Sequence, residues 1–270
     1  MTILAAGLVV AVLLYGLVLL WLYLVQRRLL FRPEADLPPP DQFGLHEIAV
    51  LRFAAADGNP LFAWYAAPAR PDGYVVLYLH GNAGHIGYRA HRAHRLMAFG
   101  WGVCLLEYRG FGGNPGQPTE TGLLADASAG LAALHGLGIR NNRILLWGES
   151  LGTNLAISLA TGNDIAAVLL ESPYTSIAAA AQLHYPYAPA GRMIKDRFDS
   201  LALIPQVRAP ILIMQGALDT LVPPAMGRTL AEAATAPVEL WVAPEAGHND
   251  LAQAGATEAA ASFVHRHLPP

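Results

Sequence analysis

The sequence predicts an α/β fold, with a mostly parallel sheet of eight strands flanked by helices, and three observations predict it. From residue 74 onward, short and fully apolar runs alternate with segments of helix length. Those runs lack the polar-at-every-second-position pattern of a sheet wetted on one face, so helices must cover both faces. One run, residues 144–147, enters the glycine-flanked turn Gly148-Glu149-Ser150-Leu151-Gly152 and passes straight into a helical segment, a strand–turn–helix unit.

Residues 3–25 carry no charged side chain, and 23 helical residues span about 35 Å against a hydrocarbon core of about 30 Å. Trp21 and Tyr23 stand near one end, and Arg27 and Arg28 close the stretch, with an amphipathic tail to Arg32. A cleaved signal peptide is the competing reading. Against it, Met1-Thr2 holds no basic residue, the apolar stretch is long, and no small-x-small cleavage site precedes the arginines. Residues 1–32 are therefore expected to be a transmembrane anchor with a juxtamembrane tail. Arg27, Arg28 and Arg32 on its C-terminal flank point to a cytoplasmic location for the domain beyond them.

Residues 33–44, with Pro38-Pro39-Pro40, read as a stiff linker holding the rest of the chain off the membrane. The folded domain should occupy residues 45–270. Residues 46–53 and 61–65, separated by Asp57-Gly58-Asn59-Pro60, alternate as an antiparallel pair. Buried strands are expected at 74–79, 103–106, 144–147, 167–170, 211–214 and 238–242, with helices at 88–99, 122–137, 151–161, 224–234 and 251–267. Residues 174–204 are too long for a simple crossover and too interrupted by proline for one helix, so a small lid is expected there.

Seventeen basic against twenty acidic residues leave a net charge of -3, which excludes the basic footprint of a nucleic-acid binder. Only 14% of residues are charged while 54% are hydrophobic, and much of that excess lies in residues 3–25. The single cysteine, Cys104, sits within an apolar run and reads as a buried core thiol.

Ser150 is the candidate nucleophile, because a serine held in a tight turn between glycines presents its hydroxyl clear of the backbone. Pockets in such sheets form beyond the carboxyl ends of the strands. Asp219 follows the strand at 211–214, and His248 follows the strand at 238–242. His248 could take the proton from Ser150 while Asp219 holds the imidazole tautomer. Asp219 before Pro223-Pro224 also suits a turn or helix cap, and nine other histidines compete with His248. For an oxyanion, Leu151 N–H is the first expected donor, and a second should come from Asn82 or Ala83 in His80-Gly81-Asn82-Ala83-Gly84. His80 reads as an organiser of that loop, and Glu171 as a structural residue.

The crowded basic segment bearing His85, His91, His94, Arg89, Arg92 and Arg95 offers no carboxylate or third ligand, so a solvated or membrane-facing helix is expected there rather than a metal site. The glycines of Glu107-Tyr108-Arg109-Gly110-Phe111-Gly112 lack the first-strand context of a dinucleotide site.

The motifs His80 to Gly84, Tyr108 to Gly112, Gly148 to Gly152 and Glu171-Ser172-Pro173-Tyr174-Thr175-Ser176 resemble the α/β-hydrolase superfamily, and within it the membrane-anchored serine hydrolases of the ABHD type. The resemblance spans about residues 45–268 and includes the N-terminal anchor. It implies the α/β-hydrolase fold, a Ser150, Asp219 and His248 triad with Asn82 and Leu151 at the oxyanion hole, and no metal or organic cofactor. It also implies ester or thioester hydrolysis of acylated, lipid-like substrates. A serine peptidase of the same fold and a non-catalytic membrane scaffold are the alternatives. Acyl length, leaving group and oligomeric state are not written in these motifs.

Overall fold

The inner strands of the sheet are buried on both faces, with successive side chains pointing to opposite layers. In the computed structural model, which describes residues 3–269, the chain opens with helix α1 (Ile3–Leu30), the two-residue strand β1 (Arg32–Pro33), and strands β2 (Ala49–Ala54), β3 (Pro60–Ala66) and β4 (Val75–Leu79). A second short strand β5 (Ala83–Gly84), helix α2 (Ala90–Ala98), strand β6 (Gly102–Glu107), helix α3 (Glu120–Gly136), strand β7 (Ile144–Glu149) and helix α4 (Gly152–Gly162) come after it. Next are β8 (Ala167–Glu171), three short helices α5 (Ile177–His184), α6 (Ala190–Met193) and α7 (Ser200–Leu203), then β9 (Ile211–Gly216), α8 (Pro224–Ala233), β10 (Val238–Ala243) and α9 (Ala256–His267).

Eight strands form the main sheet in the order β10-β9-β8-β7-β4-β6-β3-β2. All neighbours are parallel except β2 with β3 and β3 with β6, so β3 alone runs against the others. Alternate residues along each strand then divide between two cores. Val75, Leu77, Ile144, Leu146, Ile211 and Ile213 pack toward α3, α4 and α8. Val76, Tyr78, Leu145, Trp147, Leu212 and Met214 pack toward α2 and α9. The helices answer with apolar stripes at helical spacing, Leu123, Ala127, Leu131 and Leu134 on α3 and Ala256, Ala260, Phe263 and Val264 on α9.

Helix α1 keeps its helical hydrogen bonding past Arg27 and Arg28 to Leu30, and it is long and apolar enough to cross a bilayer. The linker departs from expectation. Rather than standing away from the domain, residues 32–40 lie along it. Arg32 and Pro33 pair in parallel with Ala83 and Gly84, Gly112 N–H donates to the Glu34 carbonyl, and Tyr88 O–H donates to the Glu34 carboxylate at 2.6 Å. Pro40 is buried and Leu37 packs on the core. The prolines make the segment extended, and an extended backbone is what a neighbouring loop can pair with.

The basic segment also differs from expectation. Arg92 is buried and donates to both oxygens of Glu171 at 2.7 Å, and Arg89 donates to both oxygens of Glu149 at 3.0 and 2.5 Å. Two of the three arginines thus turn inward to neutralise carboxylates at the ends of β7 and β8. The last helix starts at Ala256 rather than at 251, because Gly255 adopts φ 98° and breaks the path of the preceding turn.

Candidate active site

Strand β7 lies at the centre of the sheet and ends directly under Ser150. Ser150 has φ 48°, a left-handed conformation that a non-glycine residue adopts only when its surroundings impose it. Those surroundings are visible. Ser150 N–H donates to the Glu171 carbonyl at 2.8 Å, while Thr153 N–H and O–H donate to the Ser150 carbonyl at 3.0 and 2.6 Å. The flanking glycines are steric requirements, since a Cβ at Gly148 would stand 2.5 Å from the Gly152 carbonyl oxygen and one at Gly152 would overlap the Leu79 carbonyl.

The loops after β9 and β10 bring the two other predicted side chains to this turn. His248 Nε2 lies 3.0 Å from Ser150 Oγ, and His248 Nδ1 lies 2.7 Å from Asp219 Oδ2. Asp219 is buried but has donors on both oxygens. Leu221 N–H and Val222 N–H reach Oδ1 at 2.9 and 2.8 Å, and Gln215 Nε2 reaches Oδ2 at 3.2 Å. A carboxylate so surrounded has only one direction left for His248, and it accepts Nδ1–H. That leaves the Nε2 lone pair facing the Ser150 hydroxyl. Gln215 also donates to the Val222 carbonyl at 2.9 Å, which fixes the loop that carries Asp219.

Asn82 and Leu151 also reach the site, because both line the cavity that contains Ser150. Among the described residues, neither backbone N–H donates within the turns, loops and caps. The Asn82 side chain points the other way and donates to the Leu30 carbonyl at the end of α1 at 2.5 Å, while the Asn82 carbonyl accepts from Arg32 N–H at 2.8 Å. Ala83, the alternative donor, is paired through β5 with Arg32. His80 is buried, with Nδ1–H donating to the Gly81 carbonyl at 2.8 Å, Nε2 facing Glu107 at 3.1 Å, and its ring stacked 4.1 Å from that of Tyr108. It holds the loop and does not approach Ser150.

Glu171 is engaged by Arg92 and by Trp147 Nε1–H at 3.0 Å. Glu149, beside the serine, accepts from Tyr78 O–H at 2.7 Å as well as from Arg89. Burial alone would raise its pKa, but the Arg89 guanidinium overrides that and holds the carboxyl well below the usual range. It is therefore a fixed anion and not a proton carrier. Cys104 is pushed up to about 12 by burial and stays a thiol. No cluster of metal-ligand type occurs among the described residues.

The cavity beside Ser150 has a volume of about 570 Å³, the size range of small-molecule sites. One of its walls is the lid expected from the sequence, and the other is not legible there. One side is the end of α1, with Leu22, Tyr23, Gln26 and Leu30, and the other is formed by α5, α6 and the segment between them. Gln215, Arg89 and these α1 residues are the participants that sequence reasoning misses. A polar side chain immediately behind an apolar run, as at Gln215, is the available signal.

Residues 69–205 match a family model described as serine aminopeptidase, S33, a match that includes Asn82 and Ser150 and ends before Asp219 and His248. The chain is 38% identical over 235 residues to an uncharacterized protein of Mycobacterium tuberculosis, covering 86% of this chain and 84% of that one. It is 32% identical over 197 residues to the human alpha/beta hydrolase domain-containing protein 17B, covering 72% of this chain and 67% of the other. An esterase from Pyrococcus furiosus shares the fold with a TM-score of 0.68 at 20% identity, covering 89% of this chain and 99% of the esterase.

Proposed function

Because the chain belongs to the alpha/beta hydrolase family, we propose that it is a membrane-tethered serine hydrolase that cleaves ester or thioester bonds of acylated, lipid-like substrates through an acyl-enzyme on Ser150. The observation that carries this reading is the hydrogen-bonded chain from Ser150 through His248 to Asp219 at the wall of an apolar cavity.

As Ser150 Oγ bonds to the acyl carbon, His248 Nε2 takes its proton, and Asp219 stabilises the imidazolium without accepting a proton itself. The carbonyl oxygen becomes an oxyanion facing the N–H groups of Leu151 and Asn82, a contribution of about 3 kcal/mol per donor. Collapse expels the alcohol or thiol, which leaves with the proton from His248. A water molecule then gives its proton to His248 and its hydroxide to the acyl carbon, and the second collapse releases the acid and reprotonates Ser150.

The family description also raises an aminopeptidase. That activity requires an anion to hold the substrate ammonium, and among the described residues no Asp or Glu lines this cavity. The lining instead suits an acyl chain. Helix α1 would hold the domain at the bilayer, with Arg27, Arg28 and Arg32 on its cytoplasmic side, an orientation that a C-terminal reporter fusion tests. The activity is tested with p-nitrophenyl esters of increasing chain length and with the matching amides. Ester turnover that rises with acyl length and vanishes in Ser150→Ala supports the proposal, and amide turnover in preference to ester refutes it.

A further inference from the structure

The lid packs against α1, and the two segments have matched profiles along their line of contact. At the membrane-distal end, Gln26 Oε1 accepts from Lys195 N–H at 2.7 Å, Gln26 Nε2 donates to the Met193 carbonyl at 3.3 Å, and Arg27 forms a two-point pair with Asp196 at 2.7 and 3.1 Å. About eleven residues earlier on α1, Tyr15 O–H donates to the Tyr187 carbonyl at 2.8 Å. At 1.5 Å per residue the lid therefore follows α1 for about 16 Å, roughly the depth of one hydrocarbon leaflet.

The sequence of the lid suits that depth. Residues 177–191 contain no Asp, Glu, Lys or Arg, and Arg192, Lys195 and Arg197 appear where α1 reaches its own Arg27 and Arg28. Leu183 and Tyr187 are exposed, at 56% and 61%.

A second, independent observation concerns the irregular stretch between α5 and α6. Non-helical backbone is tolerated at membrane depth only when its polar groups are satisfied without water. Here Pro186 and Pro189 have no N–H to satisfy, and Tyr15 supplies the Tyr187 carbonyl. Gln182 donates to the Ala188 carbonyl at 3.0 Å and accepts from Gly191 N–H at 3.1 Å, and the Pro189 carbonyl accepts from Arg192 and Met193. Gln182 thus satisfies the loop backbone at two points and Tyr15 at a third, while Tyr187 N–H donates to no group among the described residues.

We infer that the lid between Ile177 and Gly191 is inserted into the same leaflet that α1 enters, so that its exposed side chains contact phospholipid acyl chains. The cavity wall shared by α1, α5 and α6 then lies at the headgroup boundary. A substrate acyl chain enters sideways from the leaflet and presents its ester to Ser150 without crossing water. The access route rests on the hydrolase reading above, and the insertion on the membrane tether proposed with it.

The test is site-directed spin labelling of the full chain in phosphatidylcholine vesicles, reading nitroxide collisions with oxygen and with a water-soluble nickel chelate. Cys104 is fully buried and stays unlabelled, so Leu183→Cys and Tyr187→Cys can be labelled singly. Leu17→Cys on α1 gives the lipid reference and Leu137→Cys, exposed at the far end of α3, gives the aqueous one. Insertion predicts an oxygen-to-nickel ratio at 183 and 187 equal to that at 17. A ratio equal to that at 137 overturns it, as does protection from both reagents, which would mean that a protein covers the lid. Fluorophosphonate labelling of Ser150 in the same samples reports the hydrolase reading separately.

Discussion

Replacement of Asp219 by Asn tests the proposed triad through a single proton. Asp219 Oδ1 accepts from two backbone N–H groups, Leu221 and Val222, and Oδ2 faces His248 Nδ1 and Gln215 Nε2. In Asp219→Asn the amide oxygen should take the Oδ1 position, because the reverse orientation would turn two backbone donors toward the NH₂ group, rather than the single Gln215 donor, at a cost of about 1 kcal/mol for each. The NH₂ group then faces His248, whose Nδ1 can only accept, so the ring proton moves to Nε2. In that tautomer His248 cannot take the proton of Ser150. The expected loss is about 10⁴-fold in kcat, equivalent to about 5.5 kcal/mol. KM should hardly change, since Asp219 does not line the cavity. The assay is p-nitrophenyl ester hydrolysis by the full chain in detergent, with circular dichroism to establish folding. A folded variant within about tenfold of wild type would refute the tautomer argument.

Three further predictions concern the supports of the site. Arg89→Met leaves the Glu149 carboxylate without its guanidinium and should cost about 3 kcal/mol of stability at neutral pH. The wild-type contribution of Glu149, whose folded pKa is depressed, is present above about pH 4.3 and lost as pH falls through the folded value. In the variant, burial dominates and raises that pKa, so the stability gap should widen from about pH 4 to pH 7; melting curves showing a constant gap would contradict the assignment. Asn82→Ala removes the bond to the Leu30 carbonyl, worth about 1 kcal/mol, and should lower kcat several-fold with little change in KM, because the loosened loop misplaces its backbone N–H. Cys104, fully buried with its thiol pushed up to about 12, should resist iodoacetamide at about pH 8 in the folded protein and react after denaturation; prompt labelling of the folded chain would show that the core at β6 opens.

The parts of this fold legible in the sequence are those carried by local patterns. The inner parallel strands are contiguous apolar runs because both their faces are buried, and Ser150 stands directly behind one of them, with Asp219 and His248 in the loops that follow β9 and β10. The illegible parts depend on pairing over long separations. Arg92 and Glu171 are 79 positions apart, and Arg89 and Glu149 are 60 apart. Charges on a helix read as a wetted face until their partners are known. The anchor shows the same limit, since residues 3–25 announce a span by composition alone while the contacts of Tyr15, Gln26 and Arg27 with the lid lie 167 to 172 positions away. The docked linker is hidden for a related reason, because three consecutive prolines predict extension but say nothing about the surface on which an extended strand docks.

On the proposed mechanism Ser150 carries an acyl group during turnover. Rapid acid quenching of the full chain with a slowly hydrolysed p-nitrophenyl ester, followed by trypsin digestion and mass spectrometry of the peptide 144–192, measures this directly. One acyl mass is expected on Ser150, absent from Ser150→Ala and trapped in greater yield when His248→Ala blocks deacylation after forced acylation. An acyl group on another residue, or steady turnover with an unmodified peptide, would contradict it.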